Sequence, residues 1–78
     1  MNKEERAQWT IQQIQDDIKF HQNEVDGLQM MLDAKVKYGD PDVFLETYFY
    51  LKEQKIVDRL KKKLEKEKNK LGKLFGLR

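Results

Sequence analysis

Chemistry at neutral pH needs nucleophiles, proton carriers or metal ligands, and this 78-residue chain is short of all three. It contains neither Ser nor Cys, so the commonest nucleophiles and the thiolate metal ligands are missing. Thr10 and Thr47 have no base at local spacing. The one histidine, His21, has Asp17 four residues before it and Glu24 three after, which places all three on one face of a helix. Copies of that face gathered in an oligomer would supply a carboxylate–histidine metal set. A single copy is more simply a histidine in a helix–helix seam, with a neighbouring carboxylate accepting its ring N–H. No glycine-rich phosphate loop is present. These residues point to a non-enzymatic protein with no catalytic group, no metal and no cofactor.

Two constellations suit binding. The first is basic: Lys52, Lys55, Arg59, Lys62, Lys66, Lys70 and Lys73 recur every three or four residues, a stripe along one side of a helix. At 1.5 Å per residue it runs about 32 Å, long enough to follow phosphates on a nucleic acid. Lysine dominates and no aromatic interrupts it, so a solvated outer face is the plainer expectation. The second is apolar: Met30, Met31, Tyr38, Phe44, Tyr48, Phe49 and Tyr50, with Val43, Leu45 and Leu51 among them. Aromatic and Met side chains bury large areas and adapt in shape, which fits a partner or oligomer interface. Next to Lys or Arg, such rings would also suit a phosphate-bearing small ligand of nucleotide type.

The elements that must carry these residues are set by the punctuation. Gly39 suits the left-handed residue that closes a helix. After it, Asp40 offers an N-cap, Pro41 a first helical position and Asp42 a charge for the positive helix end. Asn2 and Glu5 have capping-box spacing at the other terminus. The reading is all-α: a first helix from about 3 to 38, a turn at 39–41, a second helix from about 41 to 71 and a loose tail at 72–78, in one domain.

Apolar residues then define a seam. Ala7, Ile11, Ile14, Ile18, His21, Val25, Leu28 and Leu32 alternate steps of four and three, a heptad pattern. Tyr50, Val57, Leu60, Leu64, Leu71 and Leu74 do the same in the second helix, interrupted by Glu53 and Glu67. The two pack as an antiparallel two-helix hairpin. A turn centred near Asp40 sets residue i against roughly 80 − i, so Leu32 meets Tyr48, Ile18 meets Leu64, Ile11 meets Leu71 and Ala7 meets Leu74. Trp9 covers Leu71, Leu74 and Phe75 at the open end.

One seam does not use all the apolar surface. Around Phe44–Leu51 the second helix is apolar on nearly every side, and Phe20 and Met31 lie off the first seam. A helix apolar all round is covered all round, so the hairpin is expected to assemble into a helical-bundle oligomer, a homodimer or larger. The charge is divided as well. Residues 1–51 hold five Lys/Arg against ten Asp/Glu, and residues 52–78 hold eleven against four.

The absence of Cys favours a reducing, cytoplasmic setting. No apolar run approaches the roughly 20 residues of a membrane span. The expected function is that of a small interaction protein, an accessory regulator or inhibitor of phage or mobile-element type. It would self-associate and bind a larger, unidentified protein. The alternatives are an oligomeric binder of a nucleotide-type ligand and a nucleic-acid binder using the lysine stripe.

Overall fold

In the computed structural model, which describes residues 2–74 and 76, two helices form an antiparallel hairpin: α1, Lys3–Lys37, and α2, Phe44–Leu74. At about 1.5 Å per residue, 35 residues run about 52 Å, and the long axis of the molecule is 56 Å, against 21 and 15 Å across. The radius of gyration is 17.4 Å, where a compact chain of this length would have about 11.5 Å. The molecule is a rod.

The ends of α1 are fixed by local hydrogen bonds. Asn2 Oδ1 accepts from the Glu5 amide at 2.8 Å, the N-cap bond that the spacing suggests; Glu5 Oε1 accepts in return from Asn2 Nδ2 at 3.4 Å, a side-chain contact and not the backbone bond of a full capping box. At the other end Gly39 adopts φ +71°. The Gly39 amide donates to Val36 O and the Asp40 amide to Lys35 O, so two carbonyls that the helix leaves open are satisfied by a Schellman motif.

The second helix begins later than expected. Asp40 does not cap it. Its carboxylate accepts from the Asp42 amide at 2.9 Å, an Asx turn that keeps Pro41 and Asp42 outside the helix. Val43 takes over, its carbonyl accepting from the Thr47 amide at 3.0 Å. At the far end Gly72, Lys73 and Leu74 continue α2 rather than beginning a loose tail. Phe75, Leu77 and Arg78, the rest of that expected tail, lie outside the described residues.

The eight expected seam residues of α1 are all buried or half-buried, and so are Tyr50, Val57, Leu60, Leu64 and Leu71 of α2, while Leu74 is exposed. The four-and-three pattern extends through the polar residues too: Lys35 in α1 and Glu46, Glu53 and Glu67 in α2 are half-buried on it. Where charged side chains face across the seam they pair. Lys35 Nζ lies 2.8 Å from Glu46 Oε1 and His21 Nδ1 contacts Glu53 Oε2.

The two pairs bracket the expected register. Lys35 meets Glu46 within one residue of expectation. His21, expected opposite Arg59, reaches Glu53 instead, nearer the turn. The two displacements run in opposite senses, so each pair is a diagonal contact between neighbouring layers of one seam. Apolar period fixes which face is inside. The polar pairs reach across adjacent layers.

Candidate functional site: exposed apolar flank and basic basin

Only Ile14, Val25 and Val57 are buried among the described apolar side chains. Between Met30 and Leu51, nine large apolar or aromatic side chains stand exposed, among them Tyr38 at 80%, Met31 at 50% and Phe49 at 46%. The accessible surface is 6380 Å², where a compact monomer of 9.4 kDa would expose about 5000 Å². Part of the excess is the rod shape. The rest is chemical, because the surplus is rich in rings and thioethers.

The exposed groups have an order that helical geometry explains. At about 100° per residue, Phe20 and Met31 lie about 100–120° round from the α1 seam, and Leu45, Phe49 and Ile56 about 80–100° round from the α2 seam, in the same sense. In an antiparallel pair, equal senses bring these residues to one flank of the hairpin. The other flank is polar: Gln8, Gln15, Gln22 and Gln29 recur every seven residues on α1, beside Gln54, Lys61 and Lys68 of α2.

The expected interface residues divide across these surfaces. Met31 and Phe49 are on the apolar flank. Phe44 and Tyr48 stand on the outer side of α2, Met30 on the outer side of α1, and Tyr38 at the C-cap beyond it, all exposed. Tyr50 is different: it is half-buried in the seam and belongs to the hairpin's own packing. Tyr48 and Phe49 meet edge to face, with centroids 5.4 Å apart. Phe20 meets the His21 ring in the same manner at 5.2 Å. Leu45 and Leu51, grouped with these residues in the sequence, are exposed as well, and Val36 adds exposed apolar surface that the sequence reading had not placed in the interface. Trp9 and Leu74 are both exposed, Trp9 at 56%, so the open end is only partly covered. Phe75, the third member of that expected cluster, is outside the described residues.

The whole expected basic stripe, Lys52 to Lys73, is exposed on the outer side of α2. Of its members only Lys70 has an ion-pair partner among the described residues, Glu67 at 3.4 Å. Among the described residues no ion pair joins Asp58 to Lys62, Lys61 to Glu65 or Lys63 to Glu67, although each has the spacing for one. Where the stripe meets the aromatic end, a depression of about 310 Å³ is lined by Tyr48, Leu51, Lys52, Lys55 and Arg59. It is an apolar floor with three cations at its edge, near the lower limit of ligand-pocket size.

His21 is held by Glu53 of the opposite helix and not by Asp17 or Glu24. Among the described residues, no three His, Asp or Glu side chains gather as a metal site would require. The turn contains one further polar device, which sequence reasoning missed. Lys35 donates to the Asp42 carbonyl at 2.7 Å and pairs with Glu46, tying the last turn of α1 to the loop and to the first turn of α2. The hydrogen bond between them holds the Lys35 ammonium above its ordinary pKa and the Glu46 carboxyl below its own. Extending the seam spacing past Leu32 to 35 and back from Tyr50 to 46 would have found the pair. No helix among the described residues is long and apolar enough to cross a membrane. Comparison of the chain with protein-family models, curated proteins and solved structures finds no match.

Proposed function

We propose that this chain is a non-enzymatic helical interaction protein that self-associates and, assembled, binds and modulates a larger protein. The observation that carries the reading is the imbalance between three buried apolar side chains and nine large exposed ones from Met30 to Leu51. A two-helix rod with so small a core gains most of its further stability by covering that surface. Exposed patches of rings and Met are also what a partner recognises. Affinity capture from the native host, followed by titration of the captured protein, tests the second half of the proposal. Tyr38→Ala is expected to leave the oligomer intact and weaken that binding at least about tenfold, since Tyr38 is the most exposed ring and carries a hydroxyl suited to a half-wet contact. Unchanged affinity would remove the turn end as the partner surface.

A second reading is favoured by the basin of Tyr48, Leu51, Lys52, Lys55 and Arg59. An aromatic floor edged by cations suits a phosphate-bearing small molecule of nucleotide type. Thermal melting against a nucleotide panel tests it, because a ligand at about 100 times its Kd stabilises by about 2.7 kcal/mol. A shift abolished by Arg59→Gln would support this reading. No shift with any nucleotide would dismiss it.

A further inference from the structure

We infer that two copies of this chain join antiparallel and half-overlapped, through the turn halves of their hairpins. The flanks carrying Phe20, Met31, Leu45 and Phe49 face each other, and the two open ends point away from one another. The inference rests on the self-association reading and specifies its geometry.

Three observations select this arrangement. The apolar flank is not continuous along the rod: from Phe20 to the open end the same flank carries Gln13, Asp17, Lys63 and Lys70, all exposed. Burying those against a second copy would strip water from charged groups without partners. The usable face therefore runs from Phe20 to the last turn of α1, about 26 Å at 1.5 Å per residue, with Leu45, Phe49 and Ile56 beside it and Glu24 the exposed carboxylate within it.

Charge then sets the direction. Residues 1–20 and 57–74, the open half, hold eleven Lys/Arg against seven Asp/Glu, whereas residues 21–56 hold four against seven. Parallel docking would hold the two basic halves side by side, within about a Debye length of each other. A full-length antiparallel overlap would relieve the charge, but it would lay Met31, Leu45 and Phe49 on the partner's Asp17, Lys63 and Lys70. Half-overlap satisfies both conditions, because apolar meets apolar while the basic halves diverge.

The area is also adequate. Phe20, Met31, Leu45 and Phe49 are each about half exposed, between 46 and 62%. At roughly 200 Å² for a large side chain they offer on the order of 400 Å², and Ile56 and the aliphatic stems around them bring the face toward the roughly 800 Å² per partner of a standard interface. Gly27, near the centre of the face, has nothing within 4 Å of where a Cβ would lie, so the partner helix has room to approach there. The two-fold axis passes near Gln29, and the surface is used identically by both copies.

The test uses the fact that the chain has no cysteine. Gln12→Cys places a unique spin label on the exposed outer side of α1. In the half-overlapped dimer the two labels are separated by about 50 Å, twice the rise from residue 12 to residue 29. In a parallel pair or a full-length antiparallel pair they stand under about 30 Å apart, and that distance would overturn the arrangement. Light scattering on the same sample separates the two levels: a dimer with a short distance contradicts only the geometry, whereas a monomer removes the self-association reading beneath it. Phe49→Glu, off the seam, is expected to raise the dimer dissociation constant at least tenfold with helix content retained. Gln15→Glu, on the glutamine flank, is expected to leave that constant unchanged. Equal effects of the two would contradict the choice of flank.

Discussion

Gly39 is the residue on which the hairpin turns, and its role can be isolated. Its φ of +71° is unfavourable for a residue with a side chain, and no atom lies within 4 Å of the missing Cβ. The cost of Gly39→Ala is then purely conformational, about 1–2 kcal/mol, and Gly39→Asn is expected to cost less because Asn tolerates this region. Denaturant melts of the two variants check it; equal losses would mean that the left-handed turn is not what limits stability. Lys35 and Glu46 give a second prediction at this scale. Glu46 is lowered from its ordinary value of 4.5, so its contribution is present above that pH and is lost as pH falls through the folded value. Lys35 is raised from 10.5, so its contribution is present below 10.5 and is lost only as pH rises past the folded value. The turn should hold from about pH 4.5 to 10.5 and loosen outside that window. Amide shifts of Gly39 and Thr47 followed by NMR report it, and Glu46→Gln should remove the acid step. An acid step of the same size in that variant would assign it to other carboxylates. Asn2, Glu5 and Gly39 were legible because a cap is a local pattern. Asp40 misled because its carboxylate could serve the next helix or its own turn, and adjacent residues do not say which.

Each helix is an element with one legible face. Apolar steps of four and three marked the seam, and every expected seam residue from Ala7 to Tyr50 lies on it. The polar contacts across it were not legible, since apolar spacing does not say which of two adjacent layers His21 or Lys35 reaches, and it treats Glu53 as an interruption. Glu53 is in fact the partner that allows His21 to occupy the seam. Val57, fully buried, is the most sensitive position of α2. Val57→Ala removes two methyl-sized groups and leaves a cavity, about 2 kcal/mol in total. For a domain of this size that lowers Tm by about 8–16 °C. Circular dichroism during heating measures it. A change of a degree or two would mean that the helices do not meet where the His21–Glu53 pair puts them.

At the scale of the whole molecule, composition already indicated a rod with surplus apolar surface, but the flank that holds it emerged only when both helices were placed. Alternating flanks of glutamine and of rings are a property of the pair. The basic stripe is the opposite case: it was plain in the sequence, and the structure leaves it exposed along α2. Changing Lys62, Lys66 and Lys70 together to Gln is expected to keep the fold and to leave assembly unchanged, because all three are exposed and lie in the open half, outside the turn-half face. Nucleic-acid retardation that is strong for the native chain and lost in this variant would instead make the stripe the working surface. The central claim is that the exposed turn half is covered by a second copy. Its most direct test is the solution mass by light scattering at micromolar concentration. The account predicts about twice the chain mass of 9.4 kDa or more, falling toward one chain in Phe49→Glu. A stable particle of one chain mass, folded and with Phe44, Tyr48 and Phe49 open to solvent, would contradict it.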